Sequence, residues 1–244
     1  MSTKDKRQST VNMEIIGVSE SALKYIRVHI ITGTLAPGQK LNEIELATAL
    51  GISRAPLREA FRILENEHLV VSVPRKGCCV TGLSMKDCQD LFGVRTMMEC
   101  YAVDLIGSRG IRELPSVETA LEKTAELKNP EHKDAYAKFN YLRCIADFHI
   151  KLIEAAGNRK INQLYSAIFS SLARYQGLYT YIPGLMEKSQ KEHEQFLRLI
   201  KRGKYATAKE SLSLHINKFI PLIEEQMRSL ERVERNGIRE TVMF

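Results

Sequence analysis

The sequence predicts a mainly α protein: a small N-terminal unit of helices and one hairpin, then an antiparallel bundle of six or seven helices. Three observations predict it. Apolar residues recur at helical spacing through most of the 244 residues. Extended, β-branched runs are confined to residues 70–81. From Ser84 onward, helix-length stretches are separated by Pro, Gly and Asn-Pro breaks, and no convincing strand occurs.

A hydrophobic content of 44% and a charged content of 27% describe an ordinary soluble globular protein. No apolar run approaches the roughly 18 residues that a membrane span needs. The polar start, MSTKDKRQST, has no apolar segment of the secretory kind. A cytoplasmic protein without a membrane partner is expected. The net charge of +7 suits a polyanionic partner. Residues 1–82 hold 11 Lys/Arg against 8 Asp/Glu, so +3 of that excess lies in the first unit. The five cysteines, odd in number and without C-x-x-C spacing, read as reduced thiols.

Residues 1–12 are polar and aperiodic, and a disordered tail is expected there. The first helix is expected from about Ser19 to Thr32, with Leu23, Ile26, Ile30 and Ile31 on its apolar face. Pro37–Gly38 makes a turn. Asn42 and Glu45 have the spacing of a capping box, and Gly51 ends the short second helix that they start. Ser53 caps the third helix, whose first turn accommodates Pro56.

That third helix has two faces. Leu57, Ala60, Phe61 and Leu64 form an apolar stripe, and Arg54, Arg58 and Arg62 form a basic one roughly 110° away. A helix that enters a DNA groove needs one buried face and one face of outward guanidinium groups. The competing reading pairs Arg58 and Arg62 with Glu59 or Glu65 on a solvated face. Val70, Val71 and Val73 form one strand and Cys79, Val80 and Thr81 another, joined by a turn at Pro74-Arg75-Lys76-Gly77. Helix-turn-helix followed by hairpin is a winged helix-turn-helix. Its basic wing tip can reach phosphates or the minor groove.

The segment IRVHIITGTLAPGQKLNEIELATALGISRAPLREAFRILENEHLVVSVPRKGCCVTGL resembles, along its whole length, the DNA-binding domain of GntR-type bacterial regulators. The resemblance rests on the G-x-L-x-P-G turn, the L-A-x-x-L-G-I-S-R run, the P-L-R-E-A start of the recognition helix and the K-G of the wing. It implies DNA contacts from Ser53, Arg54 and Arg58 on the helix and from Lys76 and Gly77 on the wing; Arg62 joins them on its place in the basic stripe. Two departures stand out. Ala55 occupies a place where the family often has a hydroxyl residue, and His68 one where glycine usually closes the recognition helix.

The domains expected are a tail at 1–12, the winged helix-turn-helix at 13–82, an all-helical effector and dimerisation domain at 83–232, and a tail at 233–244. Within the bundle, helices are expected from Ser84 through about residue 106, with Leu91, Val94, Met98 and Leu105 inward, then at 116–127, 134–156, 159–180, 187–202 and 204–232. Pro221 kinks or restarts the last. Met97, Met98, Tyr165, Tyr175, Tyr179 and Tyr181 read as core or cavity lining.

This second part resembles the FCD-type ligand domain of the FadR branch of GntR regulators, through Arg95 and Glu99 in VRTMMECYAV, DFHIKLIEAAGN at 147–158, and His193 and His215. The resemblance implies a divalent metal, zinc by ligand type, held by His149, His193 and His215, and a small carboxylate effector. The family's aspartate ligand precedes the first histidine by four residues, and Ile145 stands there. Asp147 lies roughly 160° around the helix from His149 and does not replace it. Three imidazoles with water or an effector oxygen still make a tetrahedral zinc site. Arg95 and Asn158 are candidate effector contacts. Alternatively, Arg95 pairs with Glu99 at i+4, and Asn158 caps the helix that ends at Ala156.

The expected function is sequence-specific regulation of transcription, as a repressor. A homodimer would bind double-stranded operator DNA through two recognition helices and sense a small carboxylate. The alternative is a dimeric DNA-binding regulator whose sensor is degenerate and metal-free. A zinc-dependent hydrolase is more remote: the chain has no H-E-x-x-H, no G-x-S-x-G and no phosphate-cradling glycine loop. No enzymatic activity is expected.

Overall fold

A computed structural model describes residues 3–75, 77–127 and 134–235. It divides into two compact units, Met1–Gly82 and Leu83–Phe244. The first contains α1 (Thr3–Ile31), β1 (Lys40–Leu41), α2 (Glu43–Leu50), α3 (Arg54–Asn66), β2 (Val70–Val73) and β3 (Gly77–Val80). α1 corrects the expected tail, because residues 3–12 form its first turns. Neither proline nor glycine precedes Gly17, and Lys, Arg, Gln, Met and Glu all have good helix propensity. A polar stretch needs no apolar periodicity to prolong a helix nucleated by packing further along. Ser19, expected as an N-cap, is therefore internal to α1. It is buried and donates its hydroxyl to the Pro56 carbonyl at 3.2 Å.

The apolar face of α1 packs on α3. Leu23, Ile26, Ile30 and Ile31 are buried, as are Leu57, Ala60, Phe61 and Leu64. Each large side chain so removed from water contributes about 1.5–3 kcal/mol. Arg27 clamps Glu67 through two hydrogen bonds and ties the two helices at their far ends. α2 starts at Asn42, whose side-chain oxygen accepts from the Ile44 and Glu45 N–H groups. It stops at Gly51, where φ is +64° and the following Ile52 N–H reaches back to the Ala47 carbonyl. Ser53 has the extended backbone of an N-cap, yet its exposed side chain makes no capping hydrogen bond.

α3 closes through the Leu69 N–H on the Leu64 carbonyl, which puts His68 at a φ of +57°. A non-glycine residue in that left-handed conformation costs about 1–2 kcal/mol. The sheet that follows has the order β1-β3-β2, all antiparallel, with Lys40 opposite Cys79 and Val71 opposite Cys79 on its other side. β1 was not anticipated, since two residues carry no readable period.

The second unit is a bundle of seven helices among the described residues: α4 (Met85–Ser108), α5 (Pro115–Ala125), α6 (Ala135–Ala155), α7 (Arg159–Gly177), α8 (Leu185–Lys201), α9 (Tyr205–Asn217) and α10 (Phe219–Arg235). The single helix expected over 204–232 is broken at Lys218. Pro221 falls in the first turn of α10, where its missing N–H has no intrahelical partner to lose. Residues 233–235 continue α10, while residues 236–244 and the Asn129-Pro130 break lie outside the described residues.

α4 corrects the expected inward face. Met98 is buried, and Leu91 and Leu105 pack partly against the core, but Val94 is exposed. The inward stripe runs Cys88, Phe92, Arg95, Glu99, Ala102 and Ile106. Two charged residues inside it hide its phase from a hydrophobic reading. Met97, read as core or cavity lining, is 62% exposed. The N-terminus of α4 is tied to α7, where the Tyr175 hydroxyl donates to the Asp87 carboxylate at 2.7 Å.

Candidate functional site

On α3 the arginine row faces outward, on the face beside the buried stripe. Arg54, Arg58 and Arg62 are all exposed. The Arg58 guanidinium donates through Nε to Glu43 Oε2 at 2.9 Å, and Arg54 Nε lies 3.8 Å from the same oxygen. Arg62 pairs with Glu59, three residues back, at 2.9 Å. Arg62 thus makes the pair that the competing reading expects. For Arg58 the partner is neither Glu59 nor Glu65: it is a residue of the first turn of α2. Glu65 instead accepts from the Ser72 N–H of the hairpin. Ser53 is exposed at the head of the row, and Gly77 at the wing has a φ of +87°, which its side chain's absence permits. Lys76 lies outside the described residues.

In the bundle, three elements bring three histidines together: α6 supplies His149, α8 His193 and α9 His215. All are about 95% buried, and one ring nitrogen from each lies within 4.8 Å of the others. His193 Nε2 and His215 Nε2 are 3.0 Å apart. Phe148, the neighbour of His149 on α6, stacks on the His193 ring at 3.8 Å between centroids.

Two carboxylates sit behind the cluster. His149 Nδ1 donates to Glu99 Oε2 at 2.6 Å, and His215 Nδ1 donates to Glu192 Oε2 at 2.7 Å. The other oxygen of Glu99 accepts from Arg95 Nε at 2.8 Å and from the Tyr165 hydroxyl at 2.7 Å. Lys218 anchors Glu192. Burial lowers the His149 pKa to about 4 against the pull of Glu99, and burial likewise lowers those of His193 and His215. Burial alone would raise that of Glu99, but His149 and Arg95 beside it hold the carboxyl well below the usual range. The cluster is therefore three neutral imidazoles backed by ionised carboxylates.

Neutral imidazoles suit zinc and its borderline neighbours, not oxygen-seeking magnesium or calcium. A tetrahedral ion with nitrogens at about 2.0–2.1 Å separates them by about 3.3 Å, so a pair as wide as 4.8 Å closes by about 1.5 Å, shared between two side chains. The residues fit a three-nitrogen centre. No carboxylate joins the set among the described residues. Ile145, one turn before His149, is buried and walls a cavity of about 500 Å³ shared with Tyr141, Thr180, Tyr181, Met186 and Gln190.

Of the two candidate effector contacts, Arg95 is 5% exposed and committed to Glu99. Asn158 accepts from the Lys160 and Ile161 N–H groups, which makes it the N-cap of α7 and not a cap on the end of α6. The cysteines are free thiols, and burial pushes that of Cys78 up to about 12, so it is no thiolate. Glu43, Glu192 and Lys218 were missed by sequence reasoning. Glu43 carries no signal beyond its place in the first turn of α2, whereas Glu192 adjoins His193 and Lys218 follows His215 by three.

Residues 18–80 match the family described as bacterial regulatory proteins, gntR family, and residues 90–218 match the FCD domain. The chain is 29% identical to the HTH-type transcriptional regulator YdhC of Bacillus subtilis, over 77% of this chain and 83% of that protein. It is 28% identical to the HTH-type transcriptional repressor GlaR of Escherichia coli, over 84% and 94%. A GntR-type regulator from Rhodococcus sp. RHA1, solved as a crystal structure, shares the fold with a TM-score of 0.69 at 21% identity, covering 85% of this chain and 97% of that one.

Proposed function

The chain belongs to the GntR family of bacterial transcription regulators, in the branch that carries an FCD domain, and from that premise we propose that it is a metabolite-responsive repressor. It is a regulator and not an enzyme. The observation that carries the reading is the outward row of Arg54, Arg58 and Arg62 on a helix whose neighbouring face is buried. Ser53 at its head and Lys76 and Gly77 at the wing complete the proposed DNA contacts. Arginine forks suit guanine edges and phosphates alike. Release of Arg58 from the half-buried Glu43 costs little, since pairs open to water contribute about 0–1 kcal/mol.

The bundle supplies the sensor. His149, His193 and His215 would hold a divalent ion, zinc by ligand type, which when bound offers a Lewis-acid position to an effector oxygen. A small carboxylate is the matching effector, because three neutral imidazoles leave the ion's charge for an anion to balance. The cavity behind Ile145 begins one turn from the cluster along α6, and Gln190 borders it one turn before His193 on α8. That gives the rest of an effector molecule a place. A homodimer would set two recognition helices on a near-palindromic operator in the bacterial cytosol. The exposed Val94, Met97 and Tyr101 on α4 support such pairing. An effector acts only if it binds one spacing of those helices more tightly than another.

Ile145 favours a second reading, a dimeric regulator whose bundle holds no metal. One experiment separates them: recover the DNA bound by the protein across the genome, then measure operator affinity with and without zinc and small carboxylates. Specific operator binding that zinc and a carboxylate together weaken supports the first reading. Operator binding with no metal by elemental analysis supports the second, and no sequence-specific binding sinks both.

A further inference from the structure

We propose that Glu99 and Glu192 are positioning residues of the three-histidine centre, each setting which ring nitrogen its histidine turns inward. The inference rests on the metal-centre reading above. An ionised carboxylate can only accept, so the protons in the two contacts sit on His149 Nδ1 and His215 Nδ1. A neutral imidazole has one such proton, and the lone pair of each ring is thereby placed on Nε2. For His215 that nitrogen is the one facing His193 Nε2 at 3.0 Å.

Each carboxylate comes from a different helix than its histidine. Glu99 reaches from α4 to His149 on α6, and Glu192 from α8 to His215 on α9. Each is also held from behind, Glu99 by Arg95 and Tyr165, Glu192 by Lys218. A carboxylate so anchored cannot swing away when its histidine is offered another partner. Among the described residues His193 has no carboxylate partner; its ring stacks on Phe148, with Nε2 turned to His215. The centre thus has two rings oriented by charge and one by packing. The simpler account is that Glu99 serves only to neutralise Arg95, and Glu192 only Lys218.

Glu192 separates the two accounts, because its side chain is 28% exposed and its loss leaves no fully buried charge. The full chain would be titrated with Co(II) and with Zn(II) against a chromophoric chelator, following the Co(II) ligand-field bands. Glu192→Ala should weaken both metals about 10- to 100-fold, the usual cost of losing an orienting partner. Glu192→Gln keeps an oxygen that accepts from Nδ1–H and should stay within several-fold of the parent. Lys218→Met, which removes the ion pair alone, should do the same.

Equal affinity for the parent and Glu192→Ala overturns the positioning role while leaving the metal reading intact. A parent that binds neither ion overturns the metal reading and this role with it. Nitrogen-15 NMR of the histidine rings gives a check that needs no variant to fold. The metal-free parent should show the Nδ1–H tautomer at His149 and His215, and Nε2–H at both overturns the proposal.

Discussion

Arg58 and Arg95 each donate through Nε to a glutamate at nearly the same distance, 2.9 Å to Glu43 and 2.8 Å to Glu99. Their surroundings make them opposite devices. The Arg58 side chain is 58% exposed and its pair is open to water, so a phosphate can replace Glu43 at small cost. The Arg95 side chain is 6% exposed and that of Glu99 is fully buried. Removing either partner there strands a charge in low dielectric. In the proposed reading the exposed pair is a resting contact of a surface that binds DNA, whereas the buried pair is part of the frame that holds His149.

The largest test of that contrast is Arg95→Met, which should destabilise the bundle by about 3–5 kcal/mol in urea unfolding followed by circular dichroism. Arg95→Met with Glu99→Met should recover much of the loss, since neither charge is then stranded. A single variant as stable as the parent would mean that the pair is not the frame described. Next, Arg58→Ala should weaken operator binding by about 1–3 kcal/mol while shifting stability by no more than about 0.5 kcal/mol. An unchanged operator affinity by gel shift would remove Arg58 from the DNA face. The smallest effect lies at the far end of the same helix. His68→Gly should stabilise the N-terminal unit by about 0.5–1 kcal/mol, relief of left-handed strain less the entropy glycine adds to the unfolded chain. Thermal unfolding measures it, and operator affinity should not move.

The recognition unit was legible because its signals are local. Asn42, Gly51 and the 57-60-61-64 stripe each act within one or two helical turns, and the structure uses each of them. The start of α1 was not legible. Residues 3–12 have no apolar period, and their helix continues one organised further along the chain. In the bundle, the helix breaks at Pro115, Gly157 and Gly203 could be read, but the inward face of α4 could not. Arg95 and Glu99 occupy its centre, and a charge on a helix reads as solvent-facing until its partners on other helices are seen.

From the sequence by itself came the identity of the two faces of α3, the order of the helices and the three histidines as a set. Those follow from spacing along one chain and from a motif resemblance tied to residue types. Only the tertiary structure decided what stands behind each of them: Glu43 beside Arg58, Glu99 behind His149 and Glu192 behind His215. These partners lie 15, 50 and 23 residues apart. Hydrogen bonds act over about 3 Å of space and carry no periodicity in sequence, so only packing of the helices could bring them to view.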